Sequence, residues 1–318
     1  MAIVGATGSG KSALALRLAE RLSGEIVSCD SMQLYRRMDI GTAKPTQEEQ
    51  RRVRHHLIDA VEPDEPFSCA DYVPLAVEAI ESCIGRGKLP IVCGGTGLYL
   101  DALLRKNDFE PNTSDEAVWA ALVARAEREG AEALWRELRE LDPESAAAIH
   151  PNNVKRVIRA LEIVQVSGVT KSEWDRRSRE GGMRYDACVI GLRYPERQVL
   201  YDRIDRRVEQ MLRDGLVEET LRLLREGVFD RNHTAAQAIG YKELLPYCRG
   251  EVGLGDAAAQ LKLATRRYAK RQMTWFGAKP YVQWLDLTAE RVENEKTFEE
   301  IVNNAAELFQ KNEKCDKI

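Results

Sequence analysis

Short apolar runs alternate with amphipathic stretches over the first hundred residues. "MAIVG" has the look of a buried strand, and behind it Leu14, Leu18 and Leu22 recur at helical spacing until Gly24 ends the series. "EIVSCDS" reads as a second short strand ending at Asp30. A long polar stretch, "MQLYRRMDIGTAKPTQEEQRRVRHHLID", follows. Then "YVPLAVEAIESCIGRGK" predicts a helix, and "LPIVCGGTGLYLDALL" predicts strand, glycine turn and helix. This β-α-β alternation predicts a parallel sheet flanked by helices, with ligands at the carboxyl ends of its strands.

After Pro111 the strand signals stop. Residues 112–185 are rich in helix formers, as in "AVWAALVARAEREGAEALWRELREL" and "NVKRVIRALEIVQVSG", and predict a helical insertion domain. "DACVIGLRY" predicts a returning core strand. "YDRIDRRVEQMLRDGLVEETLRLLREG" and "LKLATRRYAKRQMTWF" predict amphipathic helices, "YVQWLDL" a last strand, and residues 289–318 a polar helical tail. The expected organisation is an α/β core of residues 1–111 and 186–318, interrupted by the insertion.

Composition narrows the class. With 318 residues, 44% hydrophobic and 31% charged, the chain is expected to be a soluble two-domain protein. No apolar run approaches the ~20 residues of a membrane span, and the chain opens directly on a strand, so neither a span nor a secretory leader is expected. The seven cysteines form no C-x-x-C pair, which argues against a zinc ribbon or a dithiol redox site and for free thiols in the cytoplasm. A net charge of −4 speaks weakly against a nucleic-acid partner, but its distribution speaks for one. Residues 112–150 carry a net −5, residues 151–185 a net +4, and residues 262–271 hold five basic groups and no acid. Lys262, Arg266 and Lys270 share a helix face with Arg267 and Arg271 beside it, and Lys155, Arg156 and Arg159 form a smaller cluster.

The strongest local motif is "GATGSGKS", which fits G-x-x-x-x-G-K-[ST] between a strand and a helix. Backbone N–H groups of Gly5, Ala6, Thr7, Gly8, Ser9 and Gly10 would cradle phosphate oxygens at a helix N-terminus. Lys11 would add a point charge, and Ser12 a hydroxyl for a divalent metal. The fold class is therefore a P-loop NTPase-like sheet. The usual hydrolysis machinery is thin. No N-K-x-D motif follows a strand, and "LPIVCGGT" ends in cysteine and glycines where a Walker-B acid belongs. Only "EIVSCD" ends in an acid. From position alone Asp30 could ligate metal, accept a proton, or cap the following turn. In "GGTGLY", Thr96 could contact a ligand or simply cap a helix. The histidine pair at 55–56 lacks companion ligands and is not expected to bind metal.

Taken in order, "GATGSGKS", "SCDSMQLYRRMDIGTAKP", "HHLID", "GGTGLYLDALL", "HPNNVKRVIRALEI", "AIGYKEL" and "RRYAKRQMTWF" resemble the tRNA dimethylallyltransferase (tRNA isopentenyltransferase) family of bacterial type, over residues 2–285. The resemblance implies transfer of the dimethylallyl group from dimethylallyl diphosphate to the exocyclic N6 amine of the adenosine 3′-adjacent to the tRNA anticodon. It implies Mg²⁺, a cytoplasmic monomer, and a loop that holds the donor's diphosphate. Asp30 then matches the general base, Thr96 a contact to the leaving diphosphate, and Arg207 the arginine that neutralises it, with Arg203 the alternative. The tRNA-contacting segments match Asp30, Ser31, Met32 and Gln33; Lys155, Arg156, Val157, Ile158 and Arg159; Gln237, Ala238, Ile239, Gly240, Tyr241 and Lys242; and Lys270 with Arg271. Trp119 stands where bacterial members often carry arginine. The competing readings are a P-loop small-molecule kinase, which leaves the basic helices unexplained, and a non-catalytic RNA-binding module, which leaves Asp30 and Thr96 unexplained.

Overall fold

The computed structural model describes residues 1–106, 115–288 and 294–315. The chain divides into two compact units, Met1–Asp101 with Asp186–Ile318, and Ala102–Tyr185. The boundary expected after Pro111 lies outside the described residues.

The first unit is built on a six-stranded parallel sheet: β1 (Ala2–Gly5), β2 (Gly24–Ser28), β3 (His55–His56), β4 (Leu89–Gly94), β5 (Val189–Arg193) and β6 (Val282–Asp286), in the order β3-β2-β4-β1-β5-β6. β1 lies between β4 and β5, with Ala2 opposite Val92 on one side and Val189 on the other. Five of the strands are the apolar runs noted above. β3 escaped that reading because it is two histidines long inside a polar stretch, and it exists only by pairing with Ile26 and Val27 of β2. Helix Lys11–Arg21 buries Leu14, Leu16 and Leu18 against Ile3, Ile91 and Ile190 of the sheet. Each such side chain contributes about 1.5–3 kcal/mol through burial. The tail is a helix, Glu295–Cys315, but not a peripheral one. Its Ile301, Val302, Ala305 and Ala306 are buried in that same cluster.

A second apolar cluster joins Tyr35 and Met38 of the polar stretch to Val208, Leu216, Tyr241 and Leu261. The long amphipathic region before it is two helices, Arg197–Arg213 and Leu216–Arg225, because Gly215 breaks the run at φ 102°. The unit Ala102–Tyr185 is helical, with helices Glu116–Glu129, Ala131–Leu141, Pro143–Ala148, Val154–Ser167 and Lys171–Glu180 around Leu122, Leu134, Leu138, Val157, Ile158 and Leu161. Buried Asp142 ties two of them together by accepting the N–H groups of Ser145 (3.0 Å) and Ser172 (2.9 Å).

Candidate active site

β1 ends at Gly5, and the loop that follows enters helix Lys11–Arg21 through Gly10, whose φ of 95° suits glycine. This exposes backbone donors at a helix N-terminus, where an anion is favoured. The loop is braced from outside. Arg203 Nε donates to the Gly8 carbonyl at 3.0 Å and the Tyr194 hydroxyl to that of Ser9 at 3.3 Å. Lys11 Nζ lies 3.5 Å from the Ala6 carbonyl. Burial holds its pKa below the ordinary lysine value, the Arg207 charge adds to the drop, and Cys93 and Asp30 oppose it.

Helix Arg197–Arg213 carries Arg203 and Arg207 one turn apart, so both reach one face. With Gly8, Gly10, Lys11 and Ser12 they line a cup beside the loop. Among the described residues no carboxylate forms an ion pair with either arginine. Burial lowers the Arg207 pKa and Asp30 counteracts it, yet guanidinium stays charged at neutral pH. Cations gathered without a matching acid call for an anionic ligand.

The acid faces the cup from the end of β2. Asp30 Oδ1 accepts the Met32 N–H at 2.9 Å. The Thr96 hydroxyl accepts the Ser31 N–H at 3.0 Å, and the Thr96 N–H reaches the Cys29 carbonyl at 3.2 Å. The ends of β2 and β4 come this close because a Cβ on Gly94 would stand 2.0 Å from the Cys29 carbonyl oxygen. Asp30 and Arg207 line a cavity with Lys11, Ser12, Cys93 and Tyr268, and a solvent-open cleft with Met32, Ile204, Met211, Ile239 and Arg271. Tyr268 belongs to both. Burial, then the Asp30 charge, pushes its phenol above the ordinary value.

A phosphate cup, a strand-end carboxylate and an adjoining cleft thus meet at one end of the sheet, and residues 33–279, which begin just after the phosphate loop and Asp30 and include Thr96, Arg203, Arg207 and Tyr268, match the IPP transferase family. The chain belongs to that family. It is 45% identical over 311 residues to the tRNA dimethylallyltransferase of Caldanaerobacter subterraneus subsp. tengcongensis, with 96% of each chain covered. Its fold is similar to that of the full-length tRNA isopentenylpyrophosphate transferase of Bacillus halodurans, with a TM-score of 0.71 at 44% identity, covering 100% of this chain and 98% of that one. A eukaryotic dimethylallyltransferase captured acting on tRNA gives a TM-score of 0.75 at 30% identity, covering 90% of this chain and 73% of that one.

The remaining sequence-derived residues of this IPP transferase take varied places. Gln33 is spent internally. Its Oε1 accepts from Ser28 Oγ at 3.1 Å, and its Nε2 donates to the carbonyls of Thr42 (3.3 Å) and Ala43 (3.1 Å). Gln237, Ala238, Ile239 and Gly240 line the cleft, whereas Tyr241 is fully buried and Lys242 bonds Gln237 at 2.7 Å. In the helical unit Lys155 and Arg156 are exposed, Arg159 bonds buried Glu162 at 2.5 Å, and Val157 and Ile158 are core residues. Trp119 packs against that core.

The basic face of helix Leu254–Gly277 requires a correction. Residues 262–271 hold no acid of their own, but helix Arg197–Arg213 supplies the acids. Lys262 pairs with Glu209 at 2.7 Å and Arg266 with Asp205 at 3.0 Å. Arg267, Lys270 and Arg271 remain exposed without ion pairs among the described residues, and Arg271 lies over the Tyr268 ring at 5.5 Å.

Sequence reasoning missed Gln272, buried on that helix and in contact with the phosphate loop. A glutamine among arginines gives little warning of this. It also missed companions for His56. Glu25 Oε2 lies 2.7 Å from His56 Nε2, and Cys83 Sγ is 3.5 Å from both. Arg86, 2.6 Å from the same carboxylate oxygen, already supplies the countercharge, so the trio reads as a hydrogen-bonded cluster. Among the described residues no helix is long and apolar enough to cross a membrane.

Proposed function

We infer that this chain transfers the dimethylallyl group from dimethylallyl diphosphate to the exocyclic N6 amine of the adenosine 3′-adjacent to the tRNA anticodon, and releases diphosphate. The observation that carries the reading is a cationic phosphate cup next to the strand-end carboxylate Asp30, while β4 ends in Cys93 and Gly94 with no acid for triphosphate hydrolysis. The tRNA named in the relatives' descriptions accounts for the exposed basic residues, which a small-molecule kinase would not need.

In this reading the phosphate loop, Lys11 and Arg207 hold the diphosphate and stabilise the charge that grows on it as the allylic C–O bond breaks. Arg203, bonded to Gly8, braces the loop and adds charge. The adenine leaves its stack to reach the cleft. Its amine attacks the allylic carbon, and the proton shed when the N–C bond forms passes to Asp30. Thr96 holds the turn that carries Asp30 and stands beside the leaving group. The donor set fits Mg²⁺, since Ser12 offers a hydroxyl and Asp30 a carboxylate beside the cup, and Mg²⁺ is commonly held by one or two protein oxygens plus substrate phosphates. When bound it would neutralise diphosphate charge. Exposed Lys155, Arg156, Lys270 and Arg271 are the groups proposed to contact tRNA phosphates, and the work is done in the cytoplasm.

The test is to incubate the protein with tRNA lacking the modification and either prenyl-labelled dimethylallyl diphosphate or γ-labelled ATP. Label is expected in tRNA from the prenyl donor alone. Rapid ATP hydrolysis without tRNA, unaffected by dimethylallyl diphosphate, would make the chain a kinase instead.

A further inference from the structure

Gln272 is 4% exposed, and both ends of its amide are engaged. Its Oε1 accepts the Thr7 N–H of the phosphate loop at 2.8 Å, and its Nε2 donates to the Gly95 carbonyl at 2.9 Å. The fit is tight: a Cβ on Gly95 would lie 2.1 Å from Nε2. Gly95 is followed by Thr96, whose hydroxyl holds Ser31, the residue after Asp30. A continuous path therefore runs from the loop through one side chain to the turn that carries the acid.

The helix is committed to this face along its length. Tyr268, one turn before Gln272, lines the cavity with Asp30. Trp275, about one turn after, lies against Gly97, where an added Cβ would meet its ring at 2.2 Å. The Thr7 N–H bonds a side chain and is thereby withdrawn from phosphate. Gln272 thus gives up a phosphate donor to fix where the loop stands.

We propose that Gln272 is a positioning residue for the transfer reaction, setting the distance between the phosphate loop that holds the leaving diphosphate and the Thr96–Asp30 turn that receives the proton. The inference rests on the prenyl-transfer reading above. In-line displacement is sensitive to this spacing, because a misplacement of ~1 Å can cost about 100-fold in rate. Gln272 touches neither reacting atom in this role, so its loss should lower the rate of the chemical step and leave tRNA affinity intact.

The experiment uses full-length enzyme with Gln272→Ala and Gln272→Glu. The glutamate keeps an oxygen for the Thr7 N–H but sets its other oxygen against the Gly95 carbonyl, which breaks one link only. Single-turnover transfer is measured at saturating tRNA and donor, alongside tRNA dissociation constants and thermal unfolding. Both variants are expected to slow transfer by roughly 10–100-fold, with tRNA affinity within about twofold of wild type. Adding Thr96→Ala to Gln272→Ala should cost little more than the worse single change, since the two act along one path. Folded variants that transfer within about twofold of wild type, or losses that multiply in the double variant, overturn the proposal. If neither Gln272 variant folds, Gly95→Ala displaces the same amide from the other side and is held to the same criteria. Failure of the function itself is seen separately, as wild-type protein that puts no label into tRNA.

Discussion

One carboxylate oxygen of Asp30 holds the N–H of Met32 at 2.9 Å, while the other has no hydrogen-bond partner among the described residues. The side chain thus caps a turn and leaves its other oxygen to the cavity, so capping does not preclude the proton-accepting role proposed for it. Asparagine would keep the cap and lose the base. Asp30→Asn is therefore expected to cut single-turnover prenylation by roughly 10²–10⁴-fold, as loss of a general base does. Its tRNA affinity and unfolding midpoint should stay close to wild type. Asp30→Ala should be as slow and less stable, by roughly 0.5–2 kcal/mol if the cap behaves like a helix cap. Near-normal prenylation by the asparagine variant would remove Asp30 from proton transfer.

The basic residues of helix Leu254–Gly277 should fall into two groups. Lys262 and Arg266 are paired with Glu209 and Asp205, whereas Lys270 and Arg271 form no ion pair among the described residues. For tRNA binding, the logarithm of affinity should fall against that of salt with a slope of roughly −0.7 to −0.9 per phosphate contacted. Neutralising Lys270 and Arg271 together should flatten that slope by about one to two units, with little change in rate at saturating tRNA. Neutralising Lys262 and Arg266 should leave the slope nearly unchanged and lower stability slightly. Filter binding across a salt series reads all of this, and equal effects from the two pairs would refute the division.

The sheet, its strand-end residues and the phosphate loop were legible in the sequence because each is a local pattern. An apolar run ends in an acid at Asp30, or in glycines at Gly94 and Gly95, and a spacing motif precedes a helix. What stayed hidden depends on contacts between distant segments. Lys262 and Arg266 look unpaired until Glu209 and Asp205 come alongside from another helix. Gln33 looks available for a ligand until Ser28, Thr42 and Ala43 take its amide. Gln272 and Gly95 are 177 residues apart, and nothing local links them. β3 is too short to carry a periodicity and is defined by its neighbour.

The Glu25 cluster gives the protein an acid-sensitive contact away from the cup. Burial alone would raise this carboxyl, but hydrogen bonds from His56, Arg86 and Cys83 outweigh it and hold the group at about 2, below its ordinary 4.5. A carboxylate with a depressed folded-state pKa stabilises the fold above its unfolded value. That contribution is lost as protons bind on the way down to the folded value. Between pH 4.5 and about 2 wild type should therefore lose stability faster than Glu25→Gln. Urea unfolding midpoints at matched pH values measure the difference, and parallel curves through the acid range would show that Glu25 is not the group responsible.

Glu219 fixes the loop that follows Met38. Its buried carboxylate accepts the N–H groups of Asp39, Ile40 and Gly41, each at 3.0 Å, and the Tyr241 hydroxyl at 2.7 Å. The Tyr241 ring lies so close to Gly41 that an added Cβ would stand 2.5 Å from it. Burial, then the Glu219 charge, pushes the Tyr241 phenol well above the ordinary tyrosine value, so it stays a donor. The loop carries Thr42, which lines both cavities and bonds Gln33. Glu219→Ala leaves three part-buried N–H groups without their carboxylate and should cost about 2–4 kcal/mol. Tyr241→Phe removes one bond to a charged group and should cost about 1.5–3 kcal/mol. The rate of Tyr241→Phe at saturating substrates should stay close to wild type, because three of the four bonds to the carboxylate remain and still hold the loop. Urea denaturation combined with single-turnover kinetics separates the two effects. A Glu219→Ala protein as stable as wild type would mean that the loop holds its shape without the carboxylate.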